Sequence, residues 1–131
     1  SVLAGGGALV VAARDEEAKS RSLRDAGNEV LLLPGPDGRV DLTALVRELG
    51  ARALNEVHVE AGAVLNGALL HAGLADELLL YLAASVLGHH ALGMFDLPQP
   101  GTLHERHALD LRDVRRVGAD LRILARTFDS R

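Results

Sequence analysis

The 131-residue chain contains two Phe, one Tyr, no Trp and no Cys, and its formal net charge is −4 at pH 7. Scarce aromatic residues argue against a single-stranded nucleic-acid platform, and the negative charge argues against nucleic acid or an anionic membrane as a partner. Without Cys there can be no disulfide or thiolate metal site. Hydrophobic residues make up 48% of the chain, which predicts a single domain over residues 1–131 with an aliphatic core, and no apolar run is long enough to span a membrane.

Strand and helix patterns alternate in the first half of the chain. Apolar runs predict strands at residues 8–13, 29–33 and 56–60. Two helices are predicted between them: the first is capped by Asp15 and ends at Gly27, and the second is capped by Asp41 and ends at Gly50. This alternation is typical of parallel strands joined by right-handed crossovers.

The second half begins with a third predicted helix, which ends at Gly73 and is followed by a strand at residues 77–82. We expect its buried face to consist of Val64, Leu65, Ala68, Leu69 and Ala72. A long loop is predicted over residues 89–100, and an antiparallel hairpin over residues 108–117 and 121–128. The predicted fold class is therefore α/β, with a mixed, mostly parallel sheet flanked by helices and a C-terminal antiparallel hairpin.

The turn between the third strand and the third helix is the first candidate site. Glu60 ends the strand, and the small residues Ala61, Gly62 and Ala63 open the helix. Ligands bind at the carboxyl ends of strands in open α/β sheets, and a helix N-terminus offers free N–H groups to a phosphate. An ordinary strand–helix turn, with glycine present for geometry alone, is the alternative.

Arg14 and the six histidines are the other candidates. Arg14 follows the first predicted strand, where an Arg can pair with a 2′-phosphate, although the sequence alone favours a solvated Arg beside Asp15 and Glu16. No G-x-G-x-x-G motif follows this strand. The histidines, among them His89, His90, His104 and His107, show no metal-ligand spacing, so no metal site is predicted.

The stretch VHVEAGAVLNGALLHAGLADELLLYLAASVLG at residues 57–88, followed by GMFDLP at residues 93–98, resembles a known family. It is similar to the reductase domain of the bifunctional riboflavin-biosynthesis deaminase/reductase, whose pattern is V-E-G-G-x-x-L-x-G-x-x-L-x-x-G-L-V-D-E-L-x-x-Y-x-A-P-x-x-L-G. The flanking segments at residues 29–52 and 113–126 agree with it.

This resemblance implies a dihydrofolate-reductase-like fold and a cytoplasmic, homodimeric enzyme. It implies NADPH-dependent reduction of 5-amino-6-(5-phosphoribosylamino)uracil to the ribitylamino product. Carried over to this sequence, Ala61, Gly62, Ala63 and Val64 line the cofactor. Glu60 faces the substrate and the nicotinamide, and Arg14 contacts the adenosine 2′-phosphate.

The chain departs from the family pattern at two positions: Ala61 replaces a glycine, and Ser85 stands where the family often has Lys. The family's domain also has an upstream half, so we expect a truncated domain that is inactive or weak alone, and a deaminase domain in the parent protein. Two alternatives stay open: another dihydrofolate-reductase-like NADPH enzyme with a different substrate, and a non-catalytic nucleotide-binding module.

Overall fold

The computed structural model describes residues 5–88, 90–102 and 105–128. The expectations for residues 1–4, His89 and His104 lie outside this part of the chain. The chain divides into two compact units, Ser1–Val57 and His58–Arg131. The single domain over residues 1–131 stays a prediction, because a division into compact units does not by itself separate domains from parts of one domain.

The described residues contain five strands and three helices, and the mixed α/β class is confirmed. In chain order they are β1 (Leu9–Ala12), α1 (Glu17–Asp25), β2 (Glu29–Leu32), α2 (Leu42–Ala51), α3 (Ala63–His71), β3 (Glu77–Leu82), β4 (Leu109–Val117) and β5 (Asp120–Thr127). Within this part of the chain, no helix has the length and apolar character needed to cross a membrane.

The first unit is built on a parallel strand pair. β1 and β2 align from Leu9 opposite Glu29 to Ala12 opposite Leu32, with α1 between them in the chain. This confirms the predicted β-α-β unit. The capping prediction for α1 was wrong by one residue, because the N-cap is Glu16. The carboxylate of Asp15 instead accepts a 2.6 Å hydrogen bond from the Ser20 hydroxyl.

Helix α2 begins as predicted but ends later than predicted. The Asp41 carboxylate accepts a 2.9 Å hydrogen bond from the Ala44 N–H, as an N-cap should. Gly50 lies inside the helix, which continues to Ala51, and the chain takes a left-handed conformation only at Ala53, where φ is 62°. The Leu54 N–H returns to the Leu49 carbonyl at 3.1 Å and completes this C-terminal turn. Glycine identity alone therefore misplaced the end of the helix.

The second unit contains an antiparallel sheet in the order β3-β5-β4. The predicted hairpin is confirmed: β4 and β5 pair around a turn in which Gly118 has φ of 63°. The prediction that residues 77–82 extend a parallel series was wrong, because β3 pairs with β5 in antiparallel register. The fully buried Ala125 lies in β5 at the centre of this sheet.

The predicted strand at residues 56–60 is not formed. Residues 54–60 are all described and belong to no strand, and Val57 and Val59 are 51% and 48% exposed. Alternating apolar residues favour an extended backbone, but a strand also requires a neighbour that satisfies its N–H and C=O groups. No described strand pairs with this segment.

The predicted buried face of α3 was also wrong. The structure buries Gly67 and Leu70, whereas Val64 and Leu65 are 56% and 41% exposed. Helix α3 is apolar on almost every side, so the spacing of its apolar residues cannot select one face. The buried face is instead the one at Gly67, where the backbone of another segment approaches the helix closely.

Candidate functional site

The N-terminus of α3 presents backbone N–H groups without a side-chain cap. Gly62 is the N-cap residue, with φ −80° and ψ 172°, and in the described part of the chain no side chain forms a capping hydrogen bond there. The first N–H bonded within the helix is that of Asn66, which donates to the Gly62 carbonyl at 3.1 Å. The N–H groups of Ala63, Val64 and Leu65 therefore lack a helical acceptor, and with the helix dipole they favour an anion.

The backbone of the turn accommodates the departure from the family pattern at Ala61. Ala53 is the only non-glycine residue with positive φ in the described part of the chain, so Ala61 lies at negative φ, where alanine is unstrained. A Cβ placed on Gly62 would meet no atom within 4 Å, and its φ is also negative. Among the described residues, neither conformation nor packing requires glycine at position 62, which leaves room for a ligand to approach.

Glu60 lies directly before this turn and its residue is exposed. A carboxylate at this position can accept hydrogen bonds from a ligand that has reached the helix N-terminus. Among the cofactor residues predicted beside it, Ala61 and Ala63 are half-buried, whereas Gly62 and Val64 are exposed. Five of the six predicted residues are consecutive in sequence, and the structure places this stretch at the N-terminus of α3, although their contact with a ligand stays a prediction.

A loop segment that the sequence prediction did not include packs against this turn. The Asp96 N–H donates to the Ala63 carbonyl at 2.9 Å. The side-chain amide of Asn66 donates to the Ala61 carbonyl at 3.0 Å and to the Met94 carbonyl at 3.4 Å. A Cβ on Gly67 would overlap the Asp96 carbonyl oxygen and lie 2.7 Å from its carbonyl carbon.

These contacts identify Asn66, Gly67 and the segment 94–96 as structural parts of the site. The sequence held two signals for Gly67, of which the first is that an isolated glycine inside a helical pattern often marks a close packing contact. Gly67 also stands where the family pattern has its third glycine. Neither signal identifies Asp96 as the partner, because that residue lies 29 positions further along the chain.

Arg14 lies in the first unit, two residues after the end of β1. A Cβ on Gly38, whose φ is 76°, would lie 3.0 Å from a terminal nitrogen of the Arg14 guanidinium, so this group lies against the 34–38 turn. The two acidic residues that follow it in sequence are engaged elsewhere: Asp15 bonds to Ser20, and Glu16 pairs with Lys19 at 2.7 Å. Within the described ranges, no ion pair is formed by Arg14.

The histidines form no candidate metal centre among the described residues, where no group of three potential ligands is close enough to hold a metal ion. His71 and His107 approach edge to face, with ring centroids 6.1 Å apart. Together with Leu70, Gly73, Ala108, Thr127 and Phe128 they line a small cavity at the C-terminal end of α3. This cavity lies at the opposite end of the helix from the open N–H groups.

Comparisons with known proteins agree with this architecture. The chain is 42% identical over 91 residues to the riboflavin biosynthesis protein RibD of Escherichia coli, a match that covers 70% of this chain and 25% of that protein. It is 29% identical over 86 residues to the 5-amino-6-(5-phosphoribosylamino)uracil reductase of Buchnera aphidicola, covering 66% of this chain and 42% of that protein. The chain thus spans about a quarter to two fifths of the length of these relatives.

A solved structure of Acinetobacter baumannii RibD superposes with a TM-score of 0.77 at 26% identity, over 92% of this chain and 31% of that one. The sequence model of the RibD C-terminal domain matches residues 2–123. This match covers nearly the whole chain, and the chain therefore belongs to the RibD C-terminal domain family.

Proposed function

We propose that this chain is an NADPH-dependent reductase domain that converts 5-amino-6-(5-phosphoribosylamino)uracil to its ribitylamino product in riboflavin biosynthesis. The observation that carries the proposal is the uncapped N-terminus of α3 within a chain of this family. A relative of the chain bears the name of this reductase. Several N–H groups without a helical acceptor at one helix end suit a pyrophosphate, which is the central anion of NADPH.

Each predicted residue of the turn receives a role that its place can support, and Ala61 lines the cofactor beside Gly62. When bound, NADPH supplies the hydride. The N–H groups from Ala63 to Leu65 hold the cofactor pyrophosphate, and the absent side chain of Gly62 lets it approach. Glu60 accepts hydrogen bonds at the meeting point of substrate and nicotinamide.

Arg14 is proposed to select NADPH over NADH. Arg14 is an exposed residue and, among the described residues, forms no ion pair. A guanidinium binds a phosphate with two parallel charge-assisted hydrogen bonds, and NADH lacks the 2′-phosphate. Loss of this contact should therefore weaken NADPH binding and leave NADH binding unchanged.

A homodimer in the cytoplasm completes the proposal. Its support is the family membership, together with exposed apolar side chains on the C-terminal hairpin, where Leu111, Val114 and Leu121 are 60%, 53% and 45% exposed. Apolar surface of this kind is commonly covered in an oligomer. Sedimentation of the purified chain tests this assembly directly.

The cofactor claim is tested by titrating the chain with NADPH and with NADH. NADPH at 100 times its Kd should stabilise the chain by about 2.7 kcal/mol, and NADH by clearly less at the same concentration. Arg14→Ala should remove most of this preference. Arg21→Ala is the matched control, because Arg21 is an exposed arginine of the same unit that is already paired with Glu17 at 2.6 Å. If the chain binds neither NADPH nor NADH, the proposal is contradicted.

Reaction and substrate need a separate test, because the chain spans only part of its relatives. The full-length gene that contains the coding sequence of this chain should restore growth to a riboflavin-requiring strain that lacks the aminouracil reductase, whereas the 131 residues alone should restore it weakly or not at all. The Gly62→Asp variant of the same gene should fail to do so. NADPH binding without complementation would favour the alternative of a nucleotide-binding module or of a reductase with another substrate.

A further inference from the structure

Asn66 bridges two segments that are far apart in sequence. Its amide nitrogen donates to the Ala61 carbonyl at 3.0 Å, within the candidate turn, and to the Met94 carbonyl at 3.4 Å, within the loop after β3. The side chain is half-buried, and its two donors are directed to two backbone acceptors. A surface asparagine that is merely solvated would not connect two segments in this way.

The bond to Ala61 determines which side of one peptide group faces outward. The peptide between Ala61 and Gly62 is trans, so its C=O and its N–H point in opposite directions. Asn66 holds the carbonyl toward the helix, and the Gly62 N–H is therefore directed away from Asn66. If this peptide rotated by half a turn, a carbonyl oxygen would replace an N–H at that position and would repel an anion.

Glycine at position 62 makes such a rotation easy, because glycine adopts conformations on both sides of φ = 0. Asn66 is thus the group in the described structure that opposes it through a hydrogen bond to the Ala61 carbonyl. The segment 94–96 supports Asn66 in turn, since Asp96 bonds to the Ala63 carbonyl and packs on Gly67.

We propose that Asn66 is a positioning residue of the cofactor site: it fixes the Ala61–Gly62 peptide with its N–H toward the cofactor pyrophosphate. The segment 94–96 acts as its support. This inference rests on the proposed NADPH binding, but the orientation of the peptide can also be measured without NADPH.

The test compares Asn66→Ala with the wild-type chain by NMR, with inorganic pyrophosphate as the probe. In the wild type, pyrophosphate should shift the amide resonances of Gly62 to Leu65. In Asn66→Ala the Gly62 resonance should move before any addition, the response to pyrophosphate should fall at least tenfold, and exchange of the Asp96 amide should accelerate. Unchanged resonances and an unchanged response would overturn the proposal, as would a wild-type chain that ignores pyrophosphate.

A second measurement separates positioning from general damage. Asn66→Ala should raise the Kd of NADPH at least tenfold while the Kd of 2′,5′-ADP, which lacks the pyrophosphate and the nicotinamide, stays within twofold. Asn28→Ala is the matched control, because Asn28 is a buried asparagine of the first unit that bonds the Ala8 N–H and the Leu23 carbonyl. It should lower stability without changing the ratio of the two Kd values.

The failures of the two proposals are distinguishable. If the wild type responds to pyrophosphate through Asn66 but does not bind NADPH, the proposed function fails and the role of Asn66 stands. If NADPH binds and both Kd values rise equally in Asn66→Ala, the proposed function stands and the positioning role is overturned.

Discussion

Helices α2 and α3 have similar lengths, but their N-terminal caps and C-terminal turns are formed in different ways. Helix α2 starts with a side-chain cap from Asp41, and it ends in a left-handed turn at Ala53, a residue poorly suited to it. Helix α3 starts at Gly62 without a side-chain cap and ends at Gly73, where φ is 65° and glycine fits well. A cap contributes about 1 kcal/mol to helix stability, so its absence at α3 is a cost that stability alone does not explain.

The two helices also use their internal glycines differently. A Cβ on Gly50 of α2 would meet nothing within 4 Å, whereas a Cβ on Gly67 of α3 would meet the backbone of Asp96. Helix α2 thus carries features of a helix stabilised by its own caps. Helix α3 is held by a loop across its first turns, and that arrangement leaves its N–H groups available to a ligand.

The largest expected effect comes from the internal glycines. Gly67→Ala should lower the free energy of unfolding by about 3 kcal/mol, since the added methyl overlaps backbone atoms that no side-chain rotation can remove. Gly50→Ala should instead raise it by about 0.5 kcal/mol, because alanine is the better helix former and the space is open. Urea unfolding of both variants measures the difference. Equal effects would mean that the 94–96 segment does not pack on α3 as described.

The second prediction concerns the open N-terminus of α3. Gly62→Asp should weaken NADPH binding at least tenfold, about 1.4 kcal/mol, because a carboxylate would occupy the N–H groups and repel the pyrophosphate. Stability should change by only a few tenths of a kcal/mol, since Asp is a good N-cap and the position is open.

Gly62→Asn separates charge from shape in this experiment. Asparagine caps a helix as well as aspartate does but carries no charge, so it should weaken NADPH binding less. If both variants bind NADPH as tightly as the wild type does, the cofactor does not use this end of α3.

Local features explain which parts of the fold could be predicted. The cap at Asp41, the turn at Gly118 and the end of α3 at Gly73 depend on residues within a few positions of one another, and the structure confirms all three. The end of α2 was missed because Ala53 takes a conformation usually reserved for glycine.

Longer-range features could not be predicted from local pattern. The segment 56–60 has the composition of a strand, but strand formation depends on a partner that local sequence does not reveal. The antiparallel pairing of β3 joins it to β5, which begins about 40 residues later. The candidate turn was found from its own residues and the family pattern, while its support from Asp96 depends on tertiary contact alone.

The third prediction exchanges the residues that end the two helices. Ala53→Gly should stabilise the chain by about 0.5 kcal/mol, because relief of the left-handed strain at φ 62° exceeds the added entropy of the unfolded state. Gly73→Ala should destabilise it by about 1 kcal/mol, because φ of 65° then falls on alanine. The midpoint of urea unfolding shows whether each variant is more or less stable than the wild type. The same sign for both variants would contradict the left-handed assignment at one of the two helix ends.

The smallest effect concerns an exposed ion pair at the end of α2. Arg52 donates to Glu48 at 2.8 Å and to both oxygens of Glu29 in β2, at 2.6 Å and 2.5 Å. Hydrogen bonds from Arg52 hold the pKa of Glu29 below its ordinary value of 4.5. The folded chain therefore binds fewer protons at this carboxyl than the unfolded chain does. Its stabilising contribution is present above pH 4.5 and is lost as the pH falls through the lower folded pKa.

Glu29→Gln should consequently reduce stability slightly near pH 7, and the difference from the wild type should shrink toward pH 3. Because the pair is exposed, salt should weaken the effect as well. Arg52→Ala supplies the control: in that background, Glu29→Gln should leave the pH dependence unchanged, since the cause of the lowered pKa is already gone. A difference that persists in the Arg52→Ala background would assign the acid sensitivity to another partner of Glu29.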